Sequence, residues 1–66
     1  MLIKTYHLYE RYTGVHHTID ITFEARRCYE VRFDGGFYAT AENMNQAMDE
    51  AVDIVINNNL TNINPI

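Results

Sequence analysis

Residues 33–66 contain no lysine or arginine, and the whole chain has one cysteine, one proline and three glycines. Each scarcity excludes something. A single cysteine, Cys28, cannot form a disulfide within its own chain, which fits a reducing, cytosolic setting. No glycine-rich phosphate loop, G-x-S-x-G elbow or carboxylate dyad is present. The opening stretch "MLIKTYHLYERY" has neither a long apolar run nor a cleavage-site pattern. No signal peptide or transmembrane span is therefore expected, and the expected location is the cytoplasm. At 66 residues the chain makes one domain at most. A domain this short buries only about 60% of the surface its unfolded form exposes. That leaves little room for a core and a deep catalytic pocket together, so an enzyme is not expected.

What is present argues for a folded chain. Hydrophobic residues make up 47%, with five tyrosines and three phenylalanines, which is too much for a disordered segment. The charge is divided unevenly. Residues 1–32 carry Lys4, Arg11, Arg26, Arg27 and Arg32 against Glu10, Asp20, Glu24 and Glu30, a net of +1. Residues 33–66 carry Asp34, Glu42, Asp49, Glu50 and Asp53 with no cation, a net of −5. That half should repel phosphate and attract basic surfaces.

Residues 2–12 alternate roughly and predict a strand, with Leu2, Tyr6, Leu8 and Tyr12 on one face. Thr13-Gly14 supplies a turn. Residues 15–24 alternate cleanly: Val15, His17, Ile19, Ile21 and Phe23 face one way, and His16, Thr18, Asp20, Thr22 and Glu24 face the other. "CYEVRF" repeats the pattern, with Tyr29, Val31 and Phe33 inward. Asp34-Gly35-Gly36 is a hairpin turn, since glycine takes positive φ without a Cβ clash. A short strand, "FYAT", follows. In "NMNQAMDEAVDIVINNN", Asn43 is a good N-cap, and Gln46 can complete a capping-box exchange. Met44, Ala47, Met48, Ala51, Val52, Ile54 and Val55 fall in one apolar arc at 100° per residue. Asn45, Gln46, Asp49, Glu50, Asp53 and Asn57 lie opposite, with Ile56 as an apolar intruder. The expected fold is a small two-layer α+β domain: a three- or four-stranded antiparallel sheet with one C-terminal helix packed on one face, in ββ(β)βα order. It is expected to span residues 1–59, with 60–66 an irregular or frayed tail.

Residues 29–55, "YEVRFDGGFYATAENMNQAMDEAVDIV", resemble the strand–turn–strand–helix end of HicB-like antitoxin domains and of double-stranded RNA-binding domains. The shared features are the glycine turn, the threonine before the helix and the "A…A" helix face. The lysines that the RNA-binding family places at its last helix are Asn43, Asn45 and Gln46 here, so RNA binding does not carry over. The Pro-Asp-Leu-Pro-Gly type of turn found in HicB-like domains is absent.

The helix supplies the candidate site. Asn45, Asp49, Asp53 and Asn57 form one ridge. Like charges at i and i+4 oppose each other by a few tenths of a kcal/mol, and Asp53 sits where the helix dipole disfavours it. Local stability does not account for this pattern. Solubility could, and so could docking on a basic partner. The expectation is a non-enzymatic protein-interaction module in which Asn45, Gln46, Asp49, Glu50 and Asp53 meet lysines and arginines of another protein. Compact acidic domains of this kind are often encoded by phages or mobile elements and inhibit a host nucleic-acid-handling protein. By that analogy the partner is such a protein in the host cytoplasm. One alternative is a nucleic-acid-binding sheet using Tyr9, Arg11, Arg32 and Tyr38, although the acidic balance opposes it. The other is a homodimer through the open sheet face or an edge strand. Adjacent His16 and His17 point to opposite strand faces, so no metal site and no cofactor is expected.

Overall fold

The computed structural model describes residues 1–24 and 28–63. In chain order it contains β1 (Leu2–Glu10), β2 (His16–Glu24), β3 (Cys28–Phe33), β4 (Gly36–Ala41), helix α1 (Met44–Asn57) and β5 (Leu60–Thr61). The strands form one antiparallel sheet in the order β4-β3-β2-β1-β5, and α1 packs on one face of it. The α+β class and the two layers are as the alternating patterns require. Five strands form rather than three or four.

Alternation decides what is buried. Ile19, Ile21 and Val31 project toward the helix from β2 and β3, Ala41 does so from the edge strand β4, and Leu8 from β1. Ala47, Ala51 and Ile54 meet them from α1. The two alanines let the helix lie close to the sheet. Each fully buried isoleucine is worth about 1.5–3 kcal/mol by transfer from water. At the core's margin, the Tyr6 hydroxyl donates to Met48 Sδ at 3.3 Å and ties β1 to the helix.

The turn after Phe33 is as expected. Asp34 and Gly35 both have positive φ (52° and 84°), as a two-residue type I′ hairpin requires. The helix also starts as expected. Asn43 Oδ1 accepts the Gln46 amide at 2.9 Å. The Gln46 side chain reaches back to the Glu42 amide at 3.0 Å, one residue earlier than in the usual capping box.

The segment after the helix departs from expectation. The asparagine run does not fray; it ends the helix sharply. Asn58 bonds the Ile54 carbonyl through both its backbone amide and its side chain. Asn59 then takes the left-handed conformation, φ 53°, that commonly terminates helices. The chain reverses onto β1, where Leu60 pairs with Glu10 and is only 1% exposed. The start of the segment read as an irregular tail is thus a strand that contributes to the core. Residues 64–66 lie outside the described residues.

Two bulges reset faces that alternation assigns. One, at Ile3 in β1, places Leu2 opposite Thr22 rather than with the core. The other, at Tyr38 in β4, brings Phe37 opposite Arg32 and Ala39 opposite Val31. Each inserts one residue and so exchanges inside for outside beyond it. β1 itself ends at Glu10, and Tyr12 lies fully in the turn, exposed to solvent.

Candidate functional site

Helix α1 presents Asn45, Gln46, Asp49 and Asp53 to solvent, while Glu50 is half-buried on the flank. Asp49 and Asp53 sit one turn apart, about 6 Å along the axis. Among the described residues, no lysine, arginine or histidine forms an ion pair with either, or with Glu50. The ridge is not purely polar. Val52, expected in the apolar arc facing the sheet, is 49% exposed, and Ile56 is 69% exposed. The cause is the narrow contact. Burial centres on Ala47, Ala51 and Ile54, which leaves Val52 about 100° round the helix from Ala51 and beyond the sheet's edge of contact. Val52 lies three residues after Asp49 and Ile56 three after Asp53, giving an acidic stripe with an apolar border. Ile56's position in the sequence carried that signal; Val52's did not.

The four sheet-face candidates do not come together. Tyr9 is on the open face, opposite His16, with ring centroids 5.3 Å apart. Arg32 is on the same face but two strands away and four residues further along the β2 register, opposite Asp20. Its guanidinium is paired with Glu30 at 2.8 Å. Arg11 lies past the end of β1, in the turn, with its amide bonded to the Asn59 carbonyl. Tyr38 is the bulged residue, and Phe37 takes the place opposite Arg32. The open face does assemble an unexpected pair: His7 Nδ1 lies 2.9 Å from His16 Nε2, both side chains exposed. Nine residues separate them, so only the β1–β2 hairpin brings them together.

His17, expected on the apolar face, is there, stacked on Phe33 with ring centroids 5.3 Å apart. Its two nitrogens hold two carboxylates. Nδ1 meets Asp34 Oδ2 at 2.6 Å, and Nε2 meets Glu10 Oε2 at 2.7 Å. The hydrogen bond that His17 donates to Asp34, followed by the one it donates to Glu10, raises the His17 pKa above its ordinary value. Glu10 is lowered by the His17 bond and then by the Thr13 hydroxyl. Burial pushes Asp34 upward, but the His17 bond and the Thr18 amide together outweigh it, and its pKa falls. An imidazolium with both N–H groups donating satisfies this geometry; a neutral ring can donate to only one carboxylate. The clamp ties the ends of β1 and β2 to the β3–β4 turn.

Cys28 is half-buried, its thiol directed at the Tyr29 carbonyl at 3.6 Å. Arg26 and Arg27, which precede it in the sequence, lie outside the described residues. No cavity is found among the described residues, and no helix there is long and apolar enough to cross a membrane. Compared with known families, curated proteins and solved structures, the chain matches none.

Proposed function

We propose that this protein is a non-enzymatic binding module that docks the outer face of α1 on a protein surface rich in lysine and arginine. The observation that carries this reading is the exposed pair Asp49 and Asp53, without a cationic partner among the described residues, bordered by exposed Val52 and Ile56. A face serving only solubility gains nothing from two exposed β-branched apolar residues. A docking face uses them as its dehydrated centre while the carboxylates steer the encounter. Asn45 and Gln46 extend the ridge toward the helix start, and Glu50 meets the partner at the margin. Proteins that handle nucleic acid carry the basic surfaces this stripe fits, so the partner class is a nucleic-acid-handling protein that the module inhibits by occupying its basic surface. A phage or mobile-element origin and a cytoplasmic site of action go with that reading.

Affinity capture from the native cell with wild-type and D49K/D53K baits tests it. The expected result is a basic protein retained by the wild type and lost, by more than about tenfold in affinity, from the charge-reversed bait. Elution by salt should accompany it, because exposed charge pairs are screened. Equal capture by both baits, with the fold verified by circular dichroism, would overturn the proposal.

A second reading, self-association through the open sheet face, draws on Leu2 and Phe37, which are exposed there. A dimer mass in solution that persists at high salt and disappears in a Phe37→Asp variant would establish it in place of helix docking.

A further inference from the structure

We propose that His7 and His16 form a two-ligand site on the open sheet face for a borderline divalent transition-metal ion such as Zn²⁺, Ni²⁺ or Cu²⁺. The ring planes are 11° apart and the centroids 5.2 Å apart, with the two nitrogens 2.9 Å from each other. A ring nitrogen sits about 1.15 Å from its ring centre. The 2.9 Å contact then accounts for the whole centroid separation only if the rings lie end to end. One ring donates its N–H to the lone pair of the other, and no third side chain stands between them.

That separation is the bite of a metal. At a metal–nitrogen distance of about 2.0–2.1 Å, two cis ligands of a square-planar or octahedral ion are about 2.9 Å apart, and two of a tetrahedral ion about 3.4 Å. The nitrogens hardly need to move. The lone pairs now face each other along the N···N line, so each ring must swing by roughly 45° for the two to converge on one ion at a right angle. Both side chains are exposed, and Tyr9, whose ring lies 5.3 Å from that of His16, is the neighbour the movement must accommodate. The tautomers follow: with the metal on His7 Nδ1 and His16 Nε2, His7 carries its proton on Nε2 and His16 on Nδ1. One neutral ring changes tautomer, and the metal replaces the shared hydrogen as the bridge.

The surroundings select the ion. On the open face, Thr5 and Tyr9 flank His7 along β1, and Thr18 lies opposite it. Asp20, on the same face opposite Thr5, accepts the Thr5 hydroxyl at 2.6 Å. Among the described residues, no three His, Cys, Asp or Glu side chains form a metal-binding group. The ligand set is therefore two imidazoles plus water. That set suits Cu²⁺ most tightly and Ni²⁺ and Zn²⁺ next, and it is wrong for Mg²⁺ and Ca²⁺, which take oxygen ligands.

The test is a titration of the intact chain with ZnCl₂, NiCl₂ and MgCl₂, following the three histidine rings by NMR. Zn²⁺ and Ni²⁺ should perturb His7 and His16 before His17, and Mg²⁺ should leave them unchanged. His7→Gln and His16→Gln should each weaken Zn²⁺ binding by more than about tenfold, the range reached when only a supporting partner of a metal ligand is lost. A response centred on His17, on the Met1 amine or on Asp49 and Asp53 would overturn the assignment. So would no saturable response, or unchanged affinity in the double variant. The mapping on the unmodified chain decides the question even if a variant folds poorly.

Discussion

Glu10 and Asp34 are carboxylates held by the chain's own histidine, whereas Asp49 and Asp53 are carboxylates without a cation among the described residues. The same functional group thus does two jobs. At the top of the sheet, two carboxylates on different segments share one imidazolium, and the charges fix the ends of β1, β2 and the β3–β4 turn. On the helix, two carboxylates one turn apart repel each other and are left facing water. The first arrangement adds to stability. The second opposes it slightly, and is therefore the place to look for binding. Charge alone does not distinguish structural from functional acids; where the counter-charge resides does.

The self-contained clamp depends most on its cation. His17→Ala removes the donor that Glu10 and Asp34 share, leaving Glu10 only the Thr13 hydroxyl and Asp34 only the Thr18 amide. We expect a clear fall in the urea denaturation midpoint at pH 6. An unchanged midpoint would mean that solvent screens the clamp fully.

The next effect is on pH dependence. His17 has a raised pKa in the folded chain, so its contribution is complete below the ordinary histidine value near 6.5 and is lost as pH rises through the folded value. Glu10 and Asp34 are lowered, so theirs is complete above their ordinary values near 4.5 and 3.8 and is lost as pH falls further. Stability should peak between about pH 5 and 6.5 and decline on both sides. In a His17→Phe variant the alkaline decline should vanish. A wild-type denaturation midpoint that does not change from pH 5.5 to 8.5 would remove the imidazolium from the account.

A smaller effect tests whether the helix that carries the ridge is held locally. Asn43→Ala removes the acceptor of the Gln46 amide and should cost about 1 kcal/mol. Asn43→Ser should restore most of it. The smallest effect is the most telling one for the comparison. Asp49→Asn with Asp53→Asn should raise stability by a few tenths of a kcal/mol, since it removes a like-charge pair at i and i+4. A clear destabilisation of 1 kcal/mol or more would place these acids with Glu10 and Asp34 as structural groups.

Much of this could be read from residue order because the relevant forces act over a few residues. The strict alternation of His17, Ile19, Ile21 and Phe23, and of Tyr29, Val31 and Phe33, assigned the inward faces of β2 and β3, since successive side chains on a strand must point to opposite sides. Asp34-Gly35 named its turn through φ, and Asn43 with Gln46 named the helix start. The uneven charge is a property of composition and needed no fold.

Contacts between distant residues, and single-residue irregularities, decided the rest. The bulges at Ile3 and Tyr38 reverse the faces of Leu2 and Phe37, and nothing in the local pattern distinguishes a bulged residue from a paired one. Leu60 looked like part of a polar tail; it became core because Asn59 turns the chain back onto β1, 50 residues earlier at Glu10. His7 meets His16, and His17 meets both Glu10 and Asp34, only after the hairpins close. Periodicity fixes which way a side chain points from its own backbone. Only the packing of strands against one another fixes what it finds there.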